Sequence, residues 1–458
     1  MKTILETDDS ELVELIQSGN LNVCVIGIGR IGLPTALSFA NSGLPTVGVD
    51  INEKLVNMIN SGNFPLKDEP GYDTIFEKVI HQKKFRATTN FSEGVNSSDV
   101  IVLSLPTPMD TNNIPDYTAL LSVAKKLHDE MSDGKLIIIE STVEPNFVEK
   151  DFLDVLEGPD KKIKLGKNFS LGVCPETANP GQILNDFEKL PRLVGAMDKQ
   201  TQNLIIKIYK HVFTVNLIPM HDCKTANAVK LTTNVFRDLN IAFVNGLAII
   251  FEKAGIDIMT VLEAAKTKYN FQVHYPSAGV GGPCLPVNSY QMINFAKTFT
   301  SKTFDLVEQG RKINEIMPLH TIDLLKDALH EVNKSLSDSK ILVLGVSYKP
   351  DVKDIQISPV EEIVKILKNN VGEILIYDPY FKNSEVFGIN TSDDLISSLE
   401  KCDALIIATA HKEFHDLEPS FLKSKMKTPV VIDSKCIIDQ YDAKKSGLVY
   451  RGIGRGKI

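Results

Sequence analysis

The chain has 458 residues and a formal net charge of −8, with 43% hydrophobic and 24% charged residues. Such a length allows two or three domains, and this composition is that of a globular protein. The sequence pI near 5.7 argues against a general nucleic-acid binder, since neutralising phosphates needs a clustered basic surface. We expect no membrane span, because continuous apolar runs stay below about 18 residues, and no secretory signal.

Six cysteines lie far apart and form no Cys-x-x-Cys pair. Their spacing argues against a disulfide framework and against a structural zinc site, so no metal is expected. A reducing, cytoplasmic location follows as the expectation. The cysteines are Cys24, Cys174, Cys223, Cys284, Cys402 and Cys436.

The first part of the chain alternates short apolar runs with helical patterns. A run at 22–27 leads into the segment Gly27-Ile-Gly-Arg-Ile-Gly32, a helical pattern at 33–41 and a second apolar run at 46–50. Runs joined by helices in this way predict a parallel sheet that is covered on both faces. Further strands are predicted at 99–105, 136–141, 169–174 and 192–195.

The glycine segment predicts a dinucleotide-binding turn. Gly27 permits the tight turn, Gly29 lets the backbone approach a pyrophosphate, and Gly32 allows close helix packing. Asp50 ends the second strand, where a carboxylate accepts the ribose hydroxyls and repels a 2′-phosphate, so NAD is preferred over NADP. The alternative is a strand, turn and helix with a purely structural role.

The middle of the chain predicts helices around one loop. A long helix is expected from Asp222 to about Glu263, able to connect two lobes and to pair with a second subunit. A loop at 270–288 follows, and then more helix from about Tyr290 to Lys334, with interruptions near 298–303 and at Pro318.

Strand and helix alternation resumes at 340–345, after the Ser/Asp/Lys-rich segment 333–340. The predicted fold class is α/β, with two Rossmann-like doubly wound parallel-sheet domains joined by a long-helix middle domain. The predicted domains are 1–213, 214–334 and 335–458.

Cys284 lies in the loop Gly279-Val-Gly-Gly-Pro-Cys-Leu-Pro286. The glycines expose backbone N–H groups, and Pro283 and Pro286 stiffen the loop. A thiol beside a nucleotide-borne oxidant can add to an aldehyde, and the thiohemiacetal can lose hydride to give a thioester. A buried small hydrophobe is the alternative, and both interpretations stay open.

Three other parts of the chain carry groups suited to this chemistry. Lys230, Asn234 and Arg237 fall at helical spacing, although a solvated polar face is the commoner meaning of that spacing. Glu176 follows a strand at the edge where doubly wound sheets bind ligands, although a loop carboxylate is most often surface. Lys349 follows the first strand of the second α/β region, where it meets a diphosphate or is simply solvated.

Several motifs stand in a fixed order along the chain. They are GIGRIGLPTA at 27–36, Asp50, LPTP at 105–108, ESTVEP at 140–145, CPETANPG at 174–181, Lys230 with Asn234, GVGGPCLP at 279–286, GVSYKPDVKDIQISP at 345–359 and YDPY at 377–380. Together they resemble the UDP-glucose/GDP-mannose dehydrogenase family of nucleotide-sugar 6-dehydrogenases. The resemblance runs from about Asn22 to Arg455, nearly the whole chain.

The resemblance implies an NAD-binding N-terminal domain, a helical middle that forms a homodimer or higher homo-oligomer, and a C-terminal domain that holds UDP. It implies a four-electron oxidation of a sugar C6 alcohol to a carboxylate, with two NAD and one water. The cofactor residues that it implies are Gly27, Gly29, Arg30, Ile31, Gly32, Asp50, Pro106, Thr107, Ser141 and Thr142.

The resemblance also assigns catalytic roles. Cys284 captures the aldehyde, Lys230 stabilises oxyanion charge, and Asn234 holds that oxygen. Glu176 activates water for thioester hydrolysis, and Thr142 positions a water. The substrate residues that it implies are Glu176, Lys230, Asn234, Gly281, Gly282, Tyr348 and Lys349.

Within the family, Pro180 and the GVGG loop look more like the UDP-N-acetylhexosamine branch. UDP-N-acetyl-D-mannosamine is the first choice of substrate, in the making of polysaccharide precursors, with UDP-N-acetylglucosamine and UDP-glucose as alternatives. Asn288 stands where most members have an aspartate, and Thr177 and Gln356 stand where arginine is usual. These departures keep open a rival of another class, a non-catalytic nucleotide-sugar binding protein. A two-electron hydroxy-acid dehydrogenase is a further rival.

Overall fold

The computed structural model describes residues 3–299 and 305–456. The chain divides into two compact units. The first comprises Met1–Thr233 with Tyr290–Thr298, and the second comprises Asn234–Ser289 with Phe299–Ile458. The boundaries predicted for three domains stay a prediction.

The first unit is built on an eight-stranded sheet in the order β3-β2-β1-β4-β5-β6-β7-β8. Its strands are β1 Val23–Ile26, β2 Thr46–Val49, β3 Phe85–Thr88, β4 Val100–Leu103, β5 Lys135–Ile139, β6 Phe169–Val173, β7 Arg192–Ala196 and β8 Leu217–Pro219. Neighbours pair in parallel except β6 and β7, which pair antiparallel. The order of the first six strands is that of a dinucleotide-binding fold, with its ligand crevice at the carboxyl ends of β1 and β4.

Helices cover both faces of this sheet. Alternate residues of β1 enter two different cores, Val23 and Val25 in one and Cys24 and Ile26 in the other, which explains why the strand is apolar throughout. The helices are α1 Asp9–Gln17, α2 Gly32–Asn41, α3 Glu53–Asn60, α4 Tyr72–His81, α5 Phe91–Asn96, α6 Thr118–Glu130, α7 Leu153–Glu157 after a π-helical turn Val148–Phe152, α8 Ile183–Lys189 and α9 Lys199–Val212.

The middle of the chain contains α10 Cys223–Ala254, α11 Ile258–Ala265, α12 Leu285–Lys297 and α13 Asp305–Glu331. The prediction of one helix to Glu263 was wrong, because Gly255 takes the left-handed φ of 70° and Asp257 caps a new helix. The predicted break at Pro318 was also wrong, since α13 continues through this buried proline. Most of the interruption predicted near 298–303 lies outside the described residues. Proline removes one helical hydrogen bond, and packing on both sides sustains the helix.

Among the described residues, helix α10 meets the length and composition criterion for a membrane span. Its most apolar 18-residue window has a mean hydropathy of 1.3 and is 33% buried. A single helix of this kind is weak evidence, because helices of soluble proteins pass the same criterion. Asp238 of α10 is moreover buried and paired with Arg311.

The second unit contains a five-stranded parallel sheet in the order β10-β9-β13-β14-β15 and a separate two-stranded hairpin of β11 and β12. Its strands are β9 Lys340–Leu344, β10 Glu373–Tyr377, β11 Glu385–Val386, β12 Ile389–Asn390, β13 Ala404–Ile407, β14 Val430–Asp433 and β15 Val449–Gly452. Its further helices are α14 Pro359–Lys368, α15 Leu395–Lys401, a 3-10 turn Lys412–Asp416, α16 Pro419–Lys425 and α17 Gln440–Lys445. The strand order reverses between β9 and β13, which is where such sheets bind ligands. The predicted fold class is confirmed.

Candidate active site

The glycine turn after β1 has the form that a dinucleotide needs. Gly27 takes the left-handed φ of 86°, and a Cβ there would lie 2.5 Å from the carbonyl oxygen of Ser104. A Cβ at Gly32 would lie 1.8 Å from the carbonyl oxygen of Gly27, so the first turn of α2 must have glycine there. A Cβ at Gly29 would meet nothing within 4 Å, which leaves backbone open for a pyrophosphate to approach.

Asp50 lies at the end of β2, where it organises the glycine turn. Its Oδ2 accepts a hydrogen bond from the Ile28 N–H at 3.0 Å, and its Oδ1 accepts one from Asn52 at 2.9 Å. The carboxylate is half-buried, and each oxygen has a second lone pair for a ribose hydroxyl. The residues present therefore fit an NAD cofactor.

Arg30 and Ile31 occupy the turn itself. The Arg30 guanidinium pairs with Asp68 at 2.9 Å and with Glu69 at 3.1 Å. Burial raises the pKa of Glu69, although hydrogen bonds from the backbone of Gly181 and Ile183 oppose that shift. Ile31 is the residue before α2 and is half-buried. Arg30 thus ties the cofactor turn to the segment that follows Glu176.

The loops after β4 and β5 are joined by hydrogen bonds at the same edge of the sheet. The Ser141 hydroxyl accepts from the N–H of Leu105 and donates to its carbonyl, both at 2.8 Å, just before Pro106. Thr107 Oγ1 donates to the carbonyl of Thr142 at 2.9 Å. Gln291, which sequence reasoning missed, also donates to that carbonyl at 3.1 Å. No local signal marks Gln291, because its partner lies 149 residues away.

A buried charged network lies directly beneath these loops. Glu140 is 2% exposed and accepts hydrogen bonds from Arg192, Tyr209 and Thr35. Burial raises the pKa of Glu140, and the adjacent Arg192 opposes that shift. The Glu140 carbonyl in turn accepts the N–H of Glu176 at 3.2 Å. The network therefore fixes the ends of β5 and β6, and sequence reasoning did not find it.

Glu176 and Lys230 belong to the first unit. Glu176 is half-buried, and its Oε1 accepts a hydrogen bond from the Ala178 N–H at 2.6 Å. Lys230 is only 7% exposed on α10, so the solvated-face interpretation is wrong for it, while Arg237 is exposed. One turn before Lys230, Asn227 is buried, and its amide has no hydrogen-bond partner among the described residues.

Cys284 is the residue immediately before α12. It is exposed, and its carbonyl accepts the first helical hydrogen bond, from the N–H of Asn288 at 2.9 Å. The N-terminus of a helix favours negative charge placed there, as on a thiolate. The alternative interpretation of Cys284 as a buried small hydrophobe is wrong. Asn288 itself is buried, and its Oδ1 accepts from Asn234 Nδ2 at 2.5 Å, which joins two of the predicted residues.

The glycines before Cys284 let the cysteine loop pack closely on the loop after β9. A Cβ at Gly281 would lie 2.3 Å from the carbonyl oxygen of Ile357. A Cβ at Gly282 would lie 2.6 Å from the ring of Tyr348, and the Gly282 N–H donates to the carbonyl of Gln356 at 3.1 Å. Tyr348 and Lys349 thus belong to the loop that supports the cysteine loop.

In the second sheet, Asp378 occupies the position equivalent to Asp50, but it is less accessible to a ligand. Asp378 follows β10 and accepts the N–H of Val346 at 2.8 Å, as Asp50 accepts that of Ile28. Asp378 is 0% exposed and also bonds His411, so ribose hydroxyls do not reach it. A dinucleotide therefore fits the first sheet and not the second. Lys435, after β14, is a further cation at this edge, and burial lowers its pKa to about 8.

Among the described residues, no group of three or more His, Cys, Asp and Glu side chains could hold a metal ion. A turn that admits a pyrophosphate, followed by an acid that accepts ribose hydroxyls, is the cofactor site of a Rossmann dehydrogenase. The chain is therefore an NAD-dependent oxidoreductase with a second nucleotide-binding fold.

Family models narrow this class. The chain matches the UDP-glucose/GDP-mannose dehydrogenase family in three parts: its NAD binding domain at residues 21–213, its central domain at 224–316 and its UDP binding domain at 342–440. The chain belongs to this family of NAD-dependent nucleotide-sugar dehydrogenases, as its motifs predicted.

Similar proteins agree with this assignment. The UDP-N-acetyl-D-mannosamine dehydrogenase of Pyrococcus horikoshii is 34% identical over 440 residues, which cover 96% of this chain and 100% of that protein. The solved structure of the UDP-D-ManNAc dehydrogenase from P. horikoshii gives a TM-score of 0.88 over 96% of this chain and 100% of its own, at 33% identity. An NDP-N-acetyl-D-galactosaminuronic acid dehydrogenase from Methanosarcina mazei gives a TM-score of 0.81 at 29% identity, over 97% and 98% of the two chains.

Proposed function

We propose that this enzyme oxidises the C6 hydroxyl of UDP-N-acetyl-D-mannosamine to give UDP-N-acetyl-D-mannosaminuronate. The observation that carries the proposal is Cys284, an exposed thiol at the start of α12 on a loop of close-packed glycines. A thiol in this position allows an oxidation to continue past the aldehyde through a covalent adduct. The mannosamine derivative is chosen because relatives named for it are 30–34% identical over 95% or more of the chain.

NAD, held by the glycine turn and Asp50, supplies the hydride acceptor for each of two oxidations. The first oxidation converts the C6 alcohol to an aldehyde. The Cys284 sulfur then adds to the aldehyde carbon, and the carbonyl oxygen takes up a proton to give a thiohemiacetal. Loss of the C6 hydrogen as hydride, with the hydroxyl proton, leaves a thioester. Water cleaves the C–S bond, which releases the carboxylate and restores the thiol.

The remaining residues handle charge and protons. The Lys230 ammonium stabilises the alkoxide and the tetrahedral oxyanion, and the Asn234 amide donates to the same oxygen. Glu176 takes the proton from the attacking water, and Thr142 positions that water. Lys230 is buried and Asn234 half-buried, which supports this assignment because a desolvated charge acts more strongly.

Asn288 takes part in this scheme as an orienting group. Its side-chain oxygen is bonded to Asn234 Nδ2, so it fixes which way the Asn234 amide points. An amide cannot accept a proton as a carboxylate can, so base catalysis is left to Glu176.

The second nucleotide-binding fold holds the UDP moiety. Lys349 lies after β9, at the edge where the strand order reverses, and Lys435 lies after β14. Two cations at this edge suit a diphosphate, and Gly281, Gly282 and Tyr348 line the sugar end of the bound nucleotide.

We further propose a homodimer, or a higher homo-oligomer, formed through α10. Phe236, Phe243 and Ile250 recur every seven residues along this helix and are 53%, 56% and 60% exposed. A stripe of large apolar side chains at this spacing is suited to pairing with a second helix. We also propose a cytoplasmic location, where a reducing environment keeps the six cysteines as thiols.

A substrate panel tests the proposal. The purified protein is incubated with NAD and, in separate reactions, with the UDP derivatives of N-acetylmannosamine, N-acetylglucosamine, N-acetylgalactosamine and glucose. We expect the highest kcat/KM for NADH formation with the mannosamine derivative. A preference for another sugar would reassign the substrate, and no NADH with any of them, despite measurable binding of UDP-sugar, would favour the non-catalytic alternative.

A further inference from the structure

The segment that follows β13 is hydrogen-bonded to the loop after β9, which contains Tyr348 and Lys349. Thr409 Oγ1 donates to the carbonyl of Ser347 at 2.6 Å. Two residues later, the buried ring of His411 lies between two parts of the second sheet's ligand edge. Its Nδ1 contacts the N–H of Asp351 at 2.9 Å, and its Nε2 contacts Asp378 Oδ2 at 3.0 Å.

These contacts fix which tautomer His411 adopts. The Asp351 N–H can only donate, so Nδ1 is an acceptor and the ring proton lies on Nε2, which donates to Asp378. Asp378 already accepts the N–H groups of Val346 and Tyr380. The ring is therefore a bridge of fixed polarity, from the loop after β9 to the end of β10.

The backbone conformation of Asp351 depends on this bridge. Its φ of 59° lies in the left-handed region, which disfavours a residue with a side chain. The conformation is held at two points, since the Asp351 N–H donates to His411 and its Oδ1 accepts the N–H of Lys412 at 3.0 Å. Without the His411 acceptor, one of the two points is lost and the turn at 348–351 is free to relax.

Movement of this turn reaches the nucleophile through the close contact of Tyr348 with Gly282. The ring of Tyr348 fills the space where a Cβ of Gly282 would lie, and the Gly282 N–H donates to the carbonyl of Gln356. Gly282 is two residues from Cys284. A shift of the 348–351 turn therefore displaces the cysteine loop together with Lys349.

We infer that His411 is a positioning residue, which acts through Asp351 and Tyr348 to set the placement of Lys349 and of the cysteine loop. The inference rests on the proposed function, because it assigns Lys349 to the UDP-sugar and Cys284 to its aldehyde. His411 does not itself contact substrate in this scheme.

Two amide substitutions separate the two hydrogen bonds of the ring. In His411→Asn the side-chain oxygen replaces Nδ1, so the acceptor for Asp351 is kept and the donor to Asp378 is lost. In His411→Gln the longer amide replaces Nε2, so the donor is kept and the acceptor is lost. The same substitutions at His415, which is exposed on the 3-10 turn just after His411, are the matched controls.

The first readout is steady-state kinetics of each full-length variant with the best UDP-sugar. We expect His411→Gln to lower kcat/KM for the UDP-sugar by about tenfold or more, as misplacement of reacting groups does, with KM for NAD unchanged. His411→Asn and both His415 variants should stay within about threefold of the parent, since the acceptor for Asp351 is intact. Equal losses in His411→Asn and His411→Gln that follow their melting temperatures, or no loss in His411→Gln, would overturn the inference.

A second readout does not depend on turnover. The alkylation rate of Cys284 by iodoacetamide, corrected with Cys284→Ser, should change in His411→Gln and not in His411→Asn. This measurement separates failure of the inference from failure of the proposed function, which the parent's NADH formation reports. If His411→Gln does not fold, Thr409→Val removes the hydrogen bond to Ser347 and must give the same pattern. A parental alkylation rate in the folded variant would overturn the inference.

Discussion

Asn288 is a neutral amide at a position where the proposed oxidation would favour a carboxylate. It is buried, one helical turn after Cys284, and it offers an amide oxygen to Asn234 at 2.5 Å. A carboxylate in this position would accept the same hydrogen bond and could also take a proton. The neutral side chain therefore keeps the geometry and gives up base strength.

The substitution Asn288→Asp tests this interpretation. We expect kcat to rise by about threefold to tenfold, a modest part of what a positioned base contributes. Asn216→Asp, at an exposed position, controls for the added charge. Both are compared with the parent by NADH formation at saturating substrate. An unchanged or lower kcat in Asn288→Asp would show that the amide does not limit the rate.

Gly281 is required because it lets the backbone of the cysteine loop approach the backbone of the loop after β9. A Cβ there would lie 2.3 Å from the Ile357 carbonyl oxygen, closer than a carbon and an oxygen can approach, so Gly281→Ala must displace the cysteine loop. We expect kcat to fall by about 100-fold, because a 1 Å shift of a reacting group has that effect. Cofactor binding, followed by NADH fluorescence, should not change.

Gly246→Ala is the matched control for this prediction. A Cβ at Gly246 in α10 would meet nothing within 4 Å of its own chain, and Gly246 adjoins the proposed pairing face, so an alanine variant that stays dimeric by light scattering should keep the parental kcat. It should also stabilise the helix by about 0.5–1 kcal/mol. Parental activity in Gly281→Ala would contradict the described packing of the cysteine loop.

The residues of the cofactor site were predictable because each acts within a short stretch of chain. Gly32 and Asp50 have their partners, Gly27 and Ile28, within one strand, turn and helix, so their spacing carries the information. Gln291 and His411 were not predictable, since their partners lie 149 and 60 residues away. Such contacts depend on how the elements pack, which no local pattern encodes.

At the scale of elements, α10 provides the clearest prediction. Its exposed Phe243 lies at the centre of the apolar stripe, so Phe243→Glu should place a charge in the proposed interface at a cost of several kcal/mol. We expect this variant to be monomeric by light scattering at concentrations where the parent is dimeric. Lys125→Glu, at an exposed position on α6, should stay dimeric. A monomeric parent, or a dimeric Phe243→Glu, would contradict pairing through α10.

The strands were predicted more accurately than the helix ends. Apolar runs bounded by turns located both sheets, because strands buried on both faces have no competing pattern. The helix predictions failed at two residues. Gly255 follows the end of α10, where no break was predicted, and Pro318 does not interrupt α13, where a break was predicted. Whether a glycine or a proline breaks a helix depends on its neighbours in the folded chain.

For the molecule as a whole, Glu144 links folding to pH. Burial, and then the nearby charge of Asp151, raise its pKa from 4.5 to about 7. Below pH 4.5 the carboxyl is protonated in both the folded and the unfolded chain, so it does not favour unfolding. As the pH rises toward 7 only the unfolded chain ionises, and stability falls until both forms are ionised.

Glu144→Gln should remove this dependence. At pH 8 we expect the variant to melt about 2–4 °C above the parent, since roughly 1 kcal/mol or more of penalty is relieved. Near pH 4.5 the two should melt together. Glu14→Gln, on the exposed face of α1, should change neither value. A parent and a Glu144→Gln variant that differ equally at both pH values would show that Glu144 is not the group responsible.

The central claim, a four-electron oxidation that passes through Cys284, is tested most directly by the NADH formed per UDP-N-acetylmannosamine consumed. The parent should form two NADH for each sugar and release a carboxylate, identified by mass spectrometry. Cys284→Ser should form no carboxylate while it still binds NAD and UDP. One NADH per sugar with an aldehyde product, or an unchanged yield of acid from Cys284→Ser, would contradict the claim.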